Sequence, residues 1–207
     1  MARQIDYYFA IYSPWSYLGH KALVEIAVRH KARINYKPTP LPALFAETGG
    51  QTLPQRHVSR QNYRWVELRR WREKRGVVLN LKPKYWPYQS SLADRCVIAL
   101  NEIQHDPNTY VTLAYKACWE KDLNLGEEVF VSSLLTASGL NAAAIIARAN
   151  TPEVEATYAR NKDEAVAAGV FGGPSYVVDG EVFWGQDRLD LLDDMLASGR
   201  KPYPAAP

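Results

Sequence analysis

The feature that most constrains the fold of this chain is the Ser13-Pro14 pair, where a short apolar segment gives way to a helical pattern. Residues 5–11 (Ile-Asp-Tyr-Tyr-Phe-Ala-Ile) are typical of a buried strand. Serine is a preferred N-cap residue and proline favours the first helical position, so the pair predicts a helix that runs to about Arg29. Apolar residues recur along this helix with helical periodicity, which gives it one face that can pack on a sheet.

The hydroxyl of Ser13 lies at the positive end of the predicted helix. Backbone N–H groups without intrahelical partners and the helix dipole favour an anion there, such as a thiolate brought in by a ligand. A position of this kind lowers the pKa of a thiol. The alternative is that Ser13 only caps the helix and meets no ligand, and the Ser-Pro pair alone does not decide between the two.

A hairpin is predicted near the other end of the chain. Residues 175–178 and 181–184 are rich in β-forming side chains and flank Asp179-Gly180, a signal for a type I′ turn. Pro174 cannot donate to a sheet ladder, so it marks the start of the first of these strands.

A final helix is predicted directly after the hairpin. Gly185, Gln186 and Asp187 open it, so its N-terminus carries free N–H groups beside an acidic side chain. Its apolar residues predict a buried face: Leu189, Leu191, Leu192, Met195 and Leu196.

Composition limits the classes of protein that fit. At 207 residues and 47% hydrophobic, the chain can bury one core, or a core and an insert. No run approaches a membrane span and no signal-peptide pattern is present, so we expect a cytoplasmic protein without a membrane partner. The net charge of +3, from 25 basic and 22 acidic residues, is too mild to indicate nucleic-acid binding.

The cysteines and histidines favour neither dithiol nor metal chemistry. Cys96 and Cys118 are far apart in helical contexts, with neither CxxC nor zinc spacing. We expect both to be small buried core residues, which excludes redox catalysis at the active site. No pair of the four histidines has ligand spacing, so no metal site is predicted.

One segment is crowded with basic residues: Arg56, Arg60, Arg64, Arg69, Arg70, Arg72, Lys74 and Arg75. We interpret this run as a solvated helix face, as most charge runs are, and leave open a functional role for Arg56 alone.

Taken in order, these elements, with a helical pattern between them, resemble the thioredoxin fold with the inserted helical domain of the disulfide oxidoreductase branch. Within it the chain is similar to 2-hydroxychromene-2-carboxylate isomerases and kappa-class glutathione transferases. Residues 8–18 (Tyr-Phe-Ala-Ile-Tyr-Ser-Pro-Trp-Ser-Tyr-Leu) match the motif with which that family begins. Residues 170–174 and 183–189 match its closing motifs, and segments 86–90 and 117–119 agree in the middle.

The resemblance implies an α/β, thioredoxin-like fold with an inserted all-helical domain. It places residues 1–43 and 169–207 in a discontinuous glutathione-binding domain and residues 44–168 in the insert. It also implies a homodimer.

The cofactor implied by the resemblance is glutathione. In the family a cis proline lies against the active-site motif, and the backbone beside it pairs with the cysteine of glutathione. Ser13 is expected to donate its hydroxyl hydrogen to the thiolate, as an activator and not as a covalent nucleophile. Six residues are expected to contact the cofactor: Ser13, Gly173, Pro174, Gly185, Gln186 and Asp187.

The reaction implied interconverts 2-hydroxychromene-2-carboxylate and trans-o-hydroxybenzylidenepyruvate in aromatic hydrocarbon catabolism, by reversible thiolate addition. Arg56, Tyr88 and Gln89 are the candidates for the carboxylate and phenolic oxygens of this aromatic 2-oxo acid, because developing enolate charge needs donors aimed at it. The chain departs from the family where Gln89 replaces an asparagine and Glu67 an aspartate. Both departures concern the substrate more than glutathione.

Two other functions stay open. A kappa-like transferase or peroxidase would consume glutathione with an electrophile, whereas the isomerase would regenerate it. A non-catalytic thioredoxin-fold binding module, in which Ser13 and Ser16 replace lost cysteines, would have no affinity for glutathione. The polar residues 186–188 argue against the binding module, since a lapsed site has no need for them.

Overall fold

A computed structural model describes residues 3–205 of the chain. The contacts between residues divide it into two compact units. The first, which we call the sheet unit, ends at Gly50 and resumes at Ala159. The second, which we call the helical unit, is Gln51–Tyr158.

The sheet unit is built on four strands: β1 (Gln4–Phe9), β2 (Arg33–Pro38), β3 (Ser175–Val178) and β4 (Glu181–Trp184). Their order is β2-β1-β3-β4, with β1 parallel to β2 and the other two pairings antiparallel. Tyr7 pairs with Tyr36 on one side and with Tyr176 on the other, and its side chain is fully buried. The sheet core therefore forms around β1. This strand ends at Phe9, two residues before the end of the predicted strand.

The helices of the described chain, in order, are α1 (Pro14–His30), α2 (Leu41–Thr48), α3 (Val58–Arg75), α4 (Leu92–Glu102), α5 (Asn108–Trp119), α6 (Glu128–Ala137), α7 (Ala142–Ala149), α8 (Pro152–Ala167) and α9 (Leu189–Ser198). The predicted first helix is confirmed to within one residue at its end. Short 3-10 turns precede α3, at Leu53–Gln55, and α9, at Gln186–Arg188.

The hairpin is confirmed together with its turn. β3 and β4 have the predicted bounds, and Asp179 and Gly180 between them both have positive φ, at 51° and 87°. Two positive φ values in succession define the type I′ turn, which suits the twist of an antiparallel pair.

The closing helix differs in two respects from the prediction. A 3-10 turn occupies Gln186–Arg188, so that the helix begins at Leu189, and one of its predicted apolar residues is exposed. Leu189, Leu192, Met195 and Leu196 of α9 are buried, but Leu191 is 53% exposed. The buried residues follow spacings of three and four, and Leu191 falls off that face because one residue turns the helix by about 100°.

The boundaries between the two units lie at 50/51 and 158/159. The resemblance implies boundaries at 43/44 and 168/169. Leu41 and Leu44 of α2 pack in one apolar cluster with Ala165, Val170 and Val177. Burial of these side chains against the sheet unit is the reason that residues 44–50 and 159–168 belong to it.

The helical unit has its own core. Helix α4 packs against α5, α6 and α7, and the largest fully buried side chains of the unit include Trp119, Tyr110 and Tyr115. Cys96 and Cys118 lie in this core, at 0% and 2% exposure, which confirms the predicted burial. Burial raises the pKa of both thiols to about 12, so both are protonated at neutral pH.

Within residues 3–205, no helix combines the length and apolar character needed to cross a membrane. In the same part of the chain, no cluster of three or more His, Cys, Asp or Glu side chains has an arrangement that could hold a metal ion.

Candidate functional site

Ser13 occupies the N-cap of α1, as predicted. Its Oγ accepts a hydrogen bond from the backbone N–H of Ser16 at 3.3 Å, and its carbonyl accepts one from Tyr17 N–H at 3.1 Å. The residue is 5% exposed. Within the described residues the Ser13 hydroxyl hydrogen has no acceptor. The first turn of α1 contains no acidic residue, so no carboxylate opposes the positive end of the helix there.

The Gly173-Pro174 peptide bond is cis, as the resemblance implies. The carbonyl of Pro174 accepts a hydrogen bond from Gly185 N–H at 2.9 Å, which joins two of the predicted cofactor segments. A Cβ added to Gly173 would lie 2.7 Å from Cδ2 of Leu41, a distance that real Cβ atoms do not tolerate. At Gly173 the space that a side chain would need is therefore filled by Leu41, which leaves only backbone at this position.

Gly19 is a structural residue of the site that the sequence reasoning missed. A Cβ on Gly19 would lie 2.7 Å from Cβ of Gln186 and 2.8 Å from the hydroxyl oxygen of Tyr176. The absence of a side chain lets α1 approach the 3-10 turn that precedes α9. A glycine inside a helical pattern was the available signal, because such residues often mark a close approach.

Gln186 and Asp187, the two polar residues predicted at the start of the closing helix, differ in their exposure to solvent. Gly185 has a φ of 100°, and the chain then makes a 3-10 turn before α9 begins at Leu189. Gln186 is 2% exposed, whereas the Asp187 carboxylate is exposed and ion-paired with Arg188. Asp187 is therefore the one of the two that presents its side chain to solvent.

Two of the three predicted substrate residues lie together in the helical unit. Tyr88 and Gln89 line an open cavity of about 320 Å³, whose other lining residues include Tyr85, Asn124 and Glu127. The hydroxyl oxygen of Tyr88 is itself buried, and burial raises the pKa of this phenol. Gln89 is thus the exposed polar group of the pair.

Arg56 is not among the residues that line this cavity. It follows the 3-10 turn Leu53–Gln55, and its Nε donates to the carbonyl of Gln51 at 3.0 Å. Burial and the nearby charge of Arg60 lower the pKa of Arg56. Arg56 therefore does not contribute to the wall that Tyr88 and Gln89 help to form.

The basic segment contains one residue that departs from the predicted solvated face. Most cations of α3 are exposed or half-buried, but Arg64 is 8% exposed, and the buried residues of this helix are Arg64 and Leu68. The Arg64 guanidinium lies over the indole rings of Trp65 and Trp86, 5.3 Å and 5.2 Å from their centroids. The prediction of a wholly solvated face is wrong at this position, because Trp86 covers it from a later part of the chain.

Comparison with known proteins identifies a family for this chain. The model of the DSBA-like thioredoxin domain matches residues 4–197. The chain is 29% identical to a 2-hydroxychromene-2-carboxylate isomerase of Sphingobium xenophagum, over 95% of this chain and 99% of the relative. It is 22% identical to a protein of Caenorhabditis elegans named glutathione s-transferase kappa 2, over 93% of this chain and 91% of the relative.

Among solved structures, the selenomethionine form of a 2-hydroxychromene-2-carboxylate isomerase superposes with a TM-score of 0.78 at 23% identity, covering 94% of this chain and 95% of the other. This similarity confirms the predicted α/β, thioredoxin-like fold.

Proposed function

Because this chain belongs to the family of DSBA-like thioredoxin domains, and its motif at residues 8–18 contains Ser13 and Ser16, we propose that it is a glutathione-dependent isomerase of the 2-hydroxychromene-2-carboxylate type. The observation that carries the proposal is the Ser13 hydroxyl at the start of α1, whose hydrogen has no acceptor within the described residues. The isomerase relative, similar over nearly its whole length, supports the choice of reaction.

The sulfur for this chemistry has to come from a ligand. Ser13 and Ser16 stand at the ends of the motif, and the two cysteines of the chain are buried thiols with pKa values of about 12. A nucleophilic thiolate needs access and a lowered pKa, and neither cysteine has these. The name of the kappa relative supports glutathione as the source.

The residues of the sheet unit fit glutathione. Gly173 offers bare backbone beside the cis Pro174, and Gly185 is bonded to the Pro174 carbonyl, so these residues would hold the cysteine part of the tripeptide. The exposed Asp187 carboxylate would accept from the γ-glutamyl ammonium. Gln186 is buried and would support the turn that carries Asp187 from the protein interior. When bound, glutathione supplies a thiolate that adds to the conjugated carbon of the substrate and leaves after bond rotation.

Ser13 favours the ionised form of the thiol in two ways. Its hydroxyl hydrogen is available to donate to sulfur, and hydrogen bonds to charged groups are stronger than neutral ones. The N–H groups of the first turn of α1 add positive potential at the same end of the helix. Each unit by which the pKa falls corresponds to about 1.4 kcal/mol.

The substrate residues proposed for the helical unit are Arg56, Tyr88 and Gln89. The substrate is an aromatic 2-oxo acid, which gains enolate charge during the reaction and needs donors directed at it. Gln89 is exposed at the cavity wall, and Arg56 keeps its terminal guanidinium nitrogens free of any carboxylate partner within the described residues. The homodimer implied by the resemblance is part of the proposal, and sedimentation tests it.

A second candidate is a kappa-like transferase, which the kappa relative favours. The two activities differ in stoichiometry. A transferase consumes one thiol per product, whereas the isomerase leaves the thiol concentration unchanged. Counting thiols during turnover of a chromene carboxylate therefore separates them.

The test begins with calorimetric titration of reduced glutathione into the wild type, Ser13→Ala and Asp187→Ala. We expect binding to the wild type and weaker binding to the Asp187 variant, and slow isomerisation by the Ser13 variant. Absence of binding at millimolar glutathione would contradict the proposal and leave the non-catalytic binding module. Binding without isomerisation, and with loss of thiol to an electrophile, would favour the transferase.

A further inference from the structure

Arg64 is the buried cation of α3. Within residues 3–205 no carboxylate lies at ion-pair distance from its guanidinium, and the group donates no hydrogen bond to another residue. By contrast, the exposed Arg70 of the same helix donates to Glu67 at 2.6 Å. The buried cation therefore has no carboxylate partner within the described residues, although burial is where a charge most needs one.

The charge of a second guanidinium, that of Arg56, acts on Arg64. Burial and the charge of Arg56 together lower the pKa of Arg64 to about 10. Arg56 also lacks a carboxylate partner within the described part of the chain. Two like charges held near each other without an acid between them create a local positive potential that an anion would relieve.

The chemistry of the guanidinium indicates which kind of anion fits. A planar fork of N–H donors matches a carboxylate through two parallel hydrogen bonds. Trp65 and Trp86 stabilise the cation through their ring faces but offer no acceptor. Trp65 also lines an open cavity of about 540 Å³ whose charged lining residues, Arg69 and Lys82, are both cations. Indole rings beside a carboxylate site suit an acid with a flat aromatic body.

We propose that Arg64, assisted by Arg56, binds the carboxylate of the aromatic 2-oxo acid, with the aromatic part of the acid against the indoles of the helical unit. The identity of the acid rests on the proposed function, whereas the preference for a carboxylate rests on Arg64 itself. Arg64 thus becomes a substrate-binding residue and sets specificity for acids over neutral ketones.

The test uses trans-benzylidenepyruvate, which lacks the phenolic hydroxyl and cannot close to a chromene, and the neutral ketone trans-benzylideneacetone. Both are titrated calorimetrically into the protein without glutathione, so that no thiol addition occurs. We expect Arg64→Met to weaken binding of the acid at least about tenfold and to leave binding of the ketone unchanged. Arg60→Gln, which removes an exposed charge one turn earlier, should change the acid affinity less than about twofold.

Thermal unfolding distinguishes binding from a structural role. Because Arg64 is buried without a counter-charge, Arg64→Met should keep or raise the melting temperature of the free protein. The rise that benzylidenepyruvate causes in the wild type should disappear in this variant. If Arg64→Met does not fold, Arg64→Lys replaces it, since lysine keeps the charge but cannot form two parallel bonds, and the acid affinity should still fall.

Failure of this inference and failure of the proposed function have different signatures. Failure of the wild type to bind the acid, or equal affinity of the acid for the wild type and the folded Arg64 variant, would overturn the assignment of Arg64. If the protein isomerises the substrate with glutathione and its Arg64→Met variant has an unchanged KM, the assignment of Arg64 would also be overturned. The proposed function would then stand. Arg64-dependent binding of the acid by a protein that ignores glutathione would support the carboxylate site and refute the isomerase.

Discussion

The replacement Ser13→Ala separates the two things that the Ser13 side chain does. The cap consists of one hydrogen bond, from Ser16 N–H to Oγ, and at 3.3 Å it is long. Its loss should therefore cost near the low end for a cap, about 0.5–1 kcal/mol, or roughly 1–4 °C in melting temperature for a chain of this size. The hydroxyl donated to a thiolate is worth about 1.5–3 kcal/mol, which corresponds to a rise of about 1–2 units in the pKa of the bound thiol.

The sign follows from the charge of the acceptor. Donation to sulfur stabilises the thiolate, so the wild type lowers the pKa of bound glutathione and the variant raises it toward its value in water. The assay is a pH titration of the ultraviolet absorbance of the thiolate in the protein–glutathione complex. Turnover of the variant should fall in proportion to the lost thiolate fraction and should recover as pH rises.

Asn141→Ala is the matched control. Asn141 caps α7 through Ala144 N–H at 3.1 Å, so its loss should lower the melting temperature by a similar amount. It should leave the thiol pKa unchanged. An unchanged thiol pKa in Ser13→Ala, with only the stability loss shared by both variants, would refute the argument and reduce Ser13 to a cap.

Two further predictions concern the sheet unit. Glu181 accepts two hydrogen bonds from the Arg200 guanidinium, at 2.7 Å and 2.8 Å, which lowers its pKa. This pair should therefore contribute stability above the unfolded-state pKa of glutamate and lose it as pH falls through the folded-state pKa. In urea unfolding, Arg200→Gln should be less stable than the wild type at neutral pH and should not differ from it in acid. Gly19→Ala should cost about 1–3 kcal/mol and weaken glutathione binding, because the new methyl group pushes α1 from the 3-10 turn; equal stability and affinity in calorimetry would show that the contact relaxes freely.

The sequence predicted well where a signal is local. The Ser13 cap and the turn at Asp179-Gly180 each depend on a few adjacent residues whose backbone preferences are strong, and the structure confirms both. Burial of Cys96 and Cys118 followed from a residue type that rarely stays on the surface when it is free. The glutathione residues from 173 to 187 were grouped by motif, and the placement of a cofactor there stays a prediction.

What the tertiary structure alone decided involves contacts between distant parts of the chain. A run of arginines on one helix predicts exposed side chains, but Arg64 is buried and its guanidinium lies over Trp86, which comes from beyond the end of α3. Leu44 belongs to the sheet unit because it packs in one apolar cluster with Val177, far away in sequence. Gly19 matters only because another turn of chain approaches it. Local backbone preference depends on neighbouring residues in the sequence. Burial depends on which distant side chains fill the same space, and that is decided only when the chain packs.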